Sequence, residues 1–276
     1  MLLTRHAAPQ GGARWALGGR WLPSQVGLDL LLQLPRETLG AVLAAMPLGE
    51  GATGALLPPI EATHEVWAAG VTYTRSREAR EAESSASDVY ARVYEARRPE
   101  IFFKTVGWRV VGPEMPIRHR ADSRWTVPEP ELTLVVNASR EIVGYCVGND
   151  VTSRDLEGEN PLYLPQAKTY DGSCALGPGI VLGDVGRLGD LAIRLAIERS
   201  GRVVFEGETR TSRMKRPLEE LVEYLGRELA FPRGVFLMTG TGIVPPPDFT
   251  LARGDRVTIS VGSLTLRNPV AGEATS

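Results

Sequence analysis

Apolar residues in this chain come in short runs, and few of the runs keep a helical period for long. Residues 132–136 (Leu-Thr-Leu-Val-Val) and 142–147 (Ile-Val-Gly-Tyr-Cys-Val) flank a polar stretch at 137–140, which predicts a β-hairpin. A second hairpin is predicted where 191–198 and 202–205 flank Ser200-Gly201. A third pair of strands, 256–261 and 264–266, meets at Gly262-Ser263. Residues 66–73, 101–103 and 237–239 read as further strands. Helical spacing is confined to 25–34, 36–46, 75–97 and 217–229. Strands do not alternate regularly with long helices, which argues against a doubly wound parallel sheet. The predicted class is α+β, rich in strand, with a few helices at the edge. Pro47, Gly49, Gly51 and Gly54 interrupt the pattern before Pro58-Pro59. The expected division is a small N-terminal α/β domain over 1–62 and a main domain over 63–276.

Composition narrows what such a fold does. Of 276 residues, 43% are hydrophobic, enough for a core. Lys and Arg number 31 against 33 Asp and Glu, a formal charge of -2 with no basic stripe, so a nucleic-acid partner is not expected. The apolar runs at 28–34 and 41–48 are too short to span a bilayer. No charged segment followed by a long apolar run opens the chain, so the expectation is a cytoplasmic protein without a membrane partner. Two cysteines, Cys146 and Cys174, make neither a disulfide framework nor a zinc site, and none of His6, His64 and His119 lies near them in sequence. They read as reduced thiols. The 30 glycines and 20 prolines are dispersed and mark turns between short strands.

The chemistry concentrates at Pro128-Glu129-Pro130-Glu131. A residue before proline is biased to extended backbone, and proline belongs at a strand start or edge. With period 2, Glu129 and Glu131 then share a face. Left in solvent they would be an ordinary acidic edge. The hairpin partner, however, ends in Gly148-Asn149-Asp150, and antiparallel pairing brings that end back to the start of the first strand. Three carboxylates therefore converge without a thiol or imidazole. That is a hard-oxygen site suited to Mg2+, with Mn2+ or Ca2+ also possible, rather than zinc. Beside such an ion Lys168 becomes a candidate proton acceptor or carboxylate anchor instead of a surface cation.

Glu129-x-Glu131, then Asn149-Asp150-Val151-Thr152-Ser153-Arg154-Asp155, then Lys168-x-x-Asp171 and Gly177-Pro178 resemble the fumarylacetoacetate hydrolase superfamily. Gly70-Val71-Thr72-Tyr73, Phe103-Lys104, Gly112-Pro113, Gly240-Thr241-Gly242 and Gly254-Asp255 fit the same pattern, over roughly 65 to 270. The resemblance implies a mixed β-sandwich roll and a Mg2+ or Mn2+ ion held by Glu129, Glu131 and Asp150. It also implies a small-molecule 2-oxo acid chelated to that ion, and a homodimer or homotetramer. One position departs from the pattern. Members that hydrolyse C–C bonds carry a water-activating His three residues after the Tyr of the opening motif, and here that residue is Ser76, which cannot activate water unaided. The strings around Gly70–Arg80, Arg98–Lys104, Ser123–Glu131 and Gly158–Lys168 are similar instead to a branch that dehydrates 2-keto-3-deoxy sugar acids.

That branch implies a metal-dependent lyase converting a substrate such as 2-keto-3-deoxy-D-arabinonate into 2,5-dioxopentanoate and water. The ion would grip the C1 carboxylate and C2 keto oxygen and so acidify C3. Lys168 and Glu100 would share proton abstraction and protonation of the leaving hydroxyl. Arg75, Ser76, Arg77, Asp171 and Thr241 are the expected substrate-binding residues, with Thr74 or Ser76 also able to cap a helix. The alternative on the same scaffold is a hydrolase or tautomerase of acylpyruvates or diketo acids.

Overall fold

The computed structural model describes residues 1–83, 87–183 and 185–271. In chain order the elements are β1 (Leu2–Ala7), β2 (Ala13–Leu17), β3 (Arg20–Trp21), α1 (Leu28–Leu31), α2 (Arg36–Ala45), β4 (Leu56–Leu57), β5 (Glu65–Gly70), α3 (Thr74–Glu83), α4 (Ser87–Glu95) and β6 (Glu100–Val106). The middle holds β7 (Ile117–Arg118), β8 (Thr126–Val127), β9 (Pro130–Val136), β10 (Ile142–Asp150), β11 (Thr152–Ser153), α5 (Arg154–Glu159), α6 (Leu164–Lys168) and β12 (Cys174–Leu182). The chain then runs through β13 (Ala192–Arg199), β14 (Arg202–Arg210), α7 (Leu218–Leu225), β15 (Val235–Met238), β16 (Arg256–Val261) and β17 (Leu264–Ala271).

Among the described residues, a ten-stranded sheet runs β3-β2-β1-β12-β10-β9-β15-β5-β6, with β4 also on β1. Only β15 and β5 pair in parallel within it. A five-stranded sheet, β14-β13-β16-β17-β7, lies against one face. The alternation written in the sequence explains the contact. Leu132, Leu134 and Val136 of β9 pack with Ile193, Leu195 and Ile197 of β13 and with Val257, Ile259 and Val261 of β16. The other face of β9, with Val135, joins Leu28, Leu31, Leu39 and Leu43 of the two N-terminal helices. The strand-rich α+β class is as expected.

Three expectations change in detail. The run 75–97 forms two helices, α3 and α4, and its positions 84–86 lie outside the described residues. The helix predicted over 217–229 ends at Leu225. The segment 1–62 is not set apart from the rest: Leu2 and Leu3 pair with Val181 and Ile180 of β12. Its Leu3, Trp15 and Leu28 share one core with Cys174, Phe236 and Met238. Pro58 and Pro59, which suggested a linker, are buried. Position 276, the expected end of the main domain, lies outside the described residues.

Candidate active site

The β9–β10 hairpin builds the centre of the site. Gly148 stands opposite Glu131 and Asn149 opposite Pro130. The Asp150 N–H donates to the Glu129 carbonyl at 3.0 Å, closing the open end of the ladder. Asn149 fixes the entry to β9 by accepting the Glu129 N–H on its Oδ1 at 3.2 Å. Glu129, Glu131 and Asp150 each bring a carboxylate oxygen within 4.8 Å of the others, and all three side chains are buried. The convergence expected from the sequence is therefore present.

Cations surround these carboxylates. Lys168, only 2% exposed, closes α6 and reaches back with Nζ to Glu129 Oε2 at 2.7 Å, Asp150 Oδ2 at 2.8 Å and Thr152 Oγ1 at 2.7 Å. Arg154, at the start of α5, pairs its Nη2 with Glu129 Oε1 at 3.0 Å and its Nη1 with Glu157 Oε2 at 3.4 Å. Lys104 pairs with Asp150 Oδ1. Glu131 receives the N–H of Gly240 on Oε2 at 2.6 Å. That approach needs glycine: φ is +91°, and a Cβ there would lie 2.0 Å from Thr72 Oγ1.

Electrostatics at the centre favour a bound cation. Burial first, and then the charges of Asp150 and Glu129, hold the Glu131 carboxyl well above the usual carboxylate range, against the pull of Lys168 and the Gly240 N–H. Three crowded, buried oxygen ligands with no imidazole or thiol among them suit a hard divalent ion, and such an ion relieves the repulsion among them.

These groups line one enclosed cavity with Glu100, Ser76, Thr241, Phe102 and Glu157. About 20 Å³ of it is free, room for one water-sized group. Glu100 sits opposite Gly70 in the β5–β6 ladder with its carboxylate against that glycine. Ser76 caps the start of α3, accepting the Tyr73 N–H at 3.3 Å and donating to the Tyr73 carbonyl at 2.8 Å. The Thr241 hydroxyl donates to the Ile243 carbonyl at 3.2 Å.

The structure thus brings together Glu100, Glu129, Glu131, Asp150, Lys168, Ser76 and Thr241. The other three expected residues are not brought in. Arg75 is exposed and lines a neighbouring open groove of about 680 Å³ with Tyr73, Phe205 and Gly242. Arg77 pairs with Glu81 and stacks on Tyr94. Asp171 has a side chain 73% exposed, 3.6 Å from Arg109. Conversely, Lys104, Arg154 and Glu157 are buried at the site without having been expected there as functional groups. Lys104 and Arg154 already stood among the residues that carry the family resemblance, and Lys104 is also a charge within an apolar strand, Ile101-Phe102-Phe103-Lys104.

Comparison with known proteins places the chain in a family. Residues 65–271 match the family model described as fumarylacetoacetate (FAA) hydrolase C-terminal. A "probable 2-keto-3-deoxyxylonate dehydratase" of Haloferax volcanii is 50% identical over 77% of this chain and 73% of its own. A "2-dehydro-3-deoxy-D-arabinonate dehydratase" of Saccharolobus solfataricus is 47% identical over 75% of this chain and 71% of its own. A solved structure of 2-keto-3-deoxy-D-arabinonate dehydratase, complexed with magnesium and 2,5-dioxopentanoate, superposes with a TM-score of 0.83 at 36% identity over 99% of both chains. With a family match across three quarters of its length, the chain belongs to the fumarylacetoacetate hydrolase family.

Proposed function

We propose that this protein is a Mg2+-dependent dehydratase of a 2-keto-3-deoxy pentonate, releasing water and 2,5-dioxopentanoate. The observation that carries the reading is the single cavity in which the Glu129, Glu131 and Asp150 carboxylates meet Lys168 and Glu100. The relatives at 47% and 50% identity named as dehydratases of such acids support it.

Glu129, Glu131 and Asp150 would hold the ion. When bound, it supplies Lewis-acid polarisation of a chelated 2-oxo acid. The chain's own residues do the rest. Lys168 is the only amine among the lining residues; its Nζ is oriented by donating to Glu129, Asp150 and Thr152, and it takes the C3 proton after passing one of its own to a neighbouring carboxylate. Glu100, on the same wall, serves as the acid for the leaving C4 hydroxyl. Loss of one C3 proton and the C4 hydroxyl gives water and a 3-ene. Moving one proton from C5 to C3 gives the C4–C5 enol, and moving that enol's hydroxyl proton to C4 gives the C5 aldehyde, so atoms balance. Thr241 and the Gly240 backbone border the place of the substrate carboxylate, and Ser76 that of the substrate hydroxyls. The reading extends to a cytoplasmic homodimer or homotetramer, supported by the family resemblance and by two unpaired thiols. Among the described residues no helix is long and apolar enough to cross a membrane.

The hydrolase alternative would need Glu100 as its base in place of the usual His, since Ser76 is spent on capping α3 and, among the described residues, no His belongs to the carboxylate cluster. Purified protein with Mg2+ is expected to form an aldehyde from 2-keto-3-deoxy-D-arabinonate and to leave an acylpyruvate uncleaved. Cleavage of the acylpyruvate without dehydration would reverse the assignment.

A further inference from the structure

Lys104 has no part in the reaction as drawn, and its surroundings ask for a role. It is 0% exposed and stands within β6, a strand written Glu-Ile-Phe-Phe-Lys-Thr-Val. Val66 pairs with Thr105 and Trp67 with Phe103, so Lys104 is the extra residue of a β-bulge. Bulges re-aim side chains and are concentrated beside active sites. Here the Nζ forms an ion pair with Asp150 Oδ1 and donates to the Val151 carbonyl at 3.1 Å and to the Lys168 carbonyl. The Lys104 carbonyl in turn accepts from Thr169 Oγ1 at 3.1 Å. One residue therefore ties β6 to the aspartate of the carboxylate cluster and to the turn that carries Lys168.

Burial of an ammonium is costly, and a buried ion pair can often be replaced by apolar side chains without loss of stability. A lysine in this position is poorly explained by packing alone. Its arrangement suggests orientation instead. Asp150 meets a cation on each oxygen: Lys168, which lines the cavity, on Oδ2 at 2.8 Å, and Lys104, which does not line it, on Oδ1.

We propose that Lys104 is a positioning residue: from behind the cavity it pairs with Asp150 Oδ1, so that Oδ2, the oxygen that also receives Lys168, is the one turned toward the cavity and a divalent ion, and it anchors the main chain of Lys168. This rests on reading Glu129, Glu131 and Asp150 as the metal site. Hydrogen-bond partners of metal-ligating carboxylates typically govern about 10–100-fold in metal affinity or activity.

The test uses Mn2+ as the probe, followed by calorimetry or electron paramagnetic resonance, on the full chain and on Lys104→Met, Lys104→Gln and Lys104→Arg. Lys104→Met and Lys104→Gln are expected to weaken Mn2+ binding about 10–100-fold and, at saturating Mn2+, still to turn over at least about tenfold more slowly. Lys104→Arg, which keeps the charge, is expected to recover most of both. Should Lys104→Met fail to fold, the comparison of Lys104→Gln with Lys104→Arg carries the test. Mn2+ affinity and kcat within threefold of the parent in the neutral variants would overturn the proposal, as would equal impairment in Lys104→Arg. Failure of the parent chain to bind Mn2+, or binding untouched by Glu129→Gln, would instead overturn the metal site itself.

Discussion

Glu131 is the residue whose ionisation couples the site to pH. Its folded-state pKa is raised, by burial and by the neighbouring carboxylates, above the ordinary value of 4.5. The metal-free folded protein therefore keeps a proton that the unfolded chain releases. Its contribution to stability is full below about 4.5 and is lost as pH rises through the raised value. A divalent ion needs the ionised form. The rise in Tm on adding Mg2+ should thus grow between pH 5 and pH 8, and Glu131→Gln should remove both the growth and most of the Mg2+ effect. An equal Mg2+ shift at both ends of that range would contradict the coupling. The carboxylate triad was legible in the sequence because strand period and hairpin return place it with no knowledge of distant segments. Lys104 and Arg154 were visible there only as members of the family pattern and without a role, because only the assembled register sets their charges beside Asp150 and Glu129. Arg75 and Arg77 stand outside the cavity lining for a local reason. They flank Ser76 on α3, and each helical step turns about 100°, so one of the three faces the cavity while its neighbours turn away.

At the scale of elements, the β5–β6 ladder sets the position of the proposed acid. Gly70 faces Glu100, and a Cβ on Gly70 would lie 2.0 Å from Glu100 Oε2. The carboxylate is the end of a flexible side chain and can swing aside without moving the sheet. Gly70→Ala should keep the fold, with Tm within a few degrees, while lowering kcat about tenfold or more through a displaced acid. Unchanged turnover in this variant would remove Glu100 from the mechanism. Hairpin elements such as β9–β10 and β13–β14 were readable from alternation and turn residues. Strand β12 was not, since Cys-Ala-Leu-Gly-Pro-Gly-Ile-Val-Leu breaks its alternation with two glycines and a proline. It lies between β1 and β10, buried along most of its length, and so lacks the polar alternation of a half-exposed strand.

For the whole molecule, the consequence is that the N-terminal segment is structural support for the catalytic half. Leu28, Leu31, Leu39 and Leu43 are buried in the same core as Phe236 and Met238. At about 1.5–3 kcal/mol for each large apolar side chain removed from water, four leucines approach the stability of an ordinary domain. A chain reduced to residues 63–276 would also expose the edge of β12 that pairs with β1. Such a fragment is expected to aggregate, or to melt more than about 10 °C below the full chain when followed by circular dichroism. A monodisperse fragment with the parental Tm would show that 1–62 is separable. The linker-like appearance of Pro58-Pro59 misled because proline breaks periodicity whether it is exposed or buried. Here Arg5 Nη1 donates to the Ile60 carbonyl at 2.9 Å, fastening the crossing to β1.

The two thiols acquire a meaning from this assembly. Cys174 pairs across the ladder with Asp150, and Cys146 with Thr133. Burial pushes the Cys174 thiol up to about 12 and raises Cys146 as well, so neither offers a thiolate near neutral pH. The product proposed for this chain is an aldehyde, an electrophile that exposed nucleophiles attack, and this chain keeps its sulfur nucleophiles out of reach. Strand β12 must leave β10 before Cys174 becomes reactive, and that separation strips the strand that carries Asp150 of one of its two neighbours. Chemical silence of the cysteines is thereby tied to integrity of the catalytic centre, and damage to one is announced by the other.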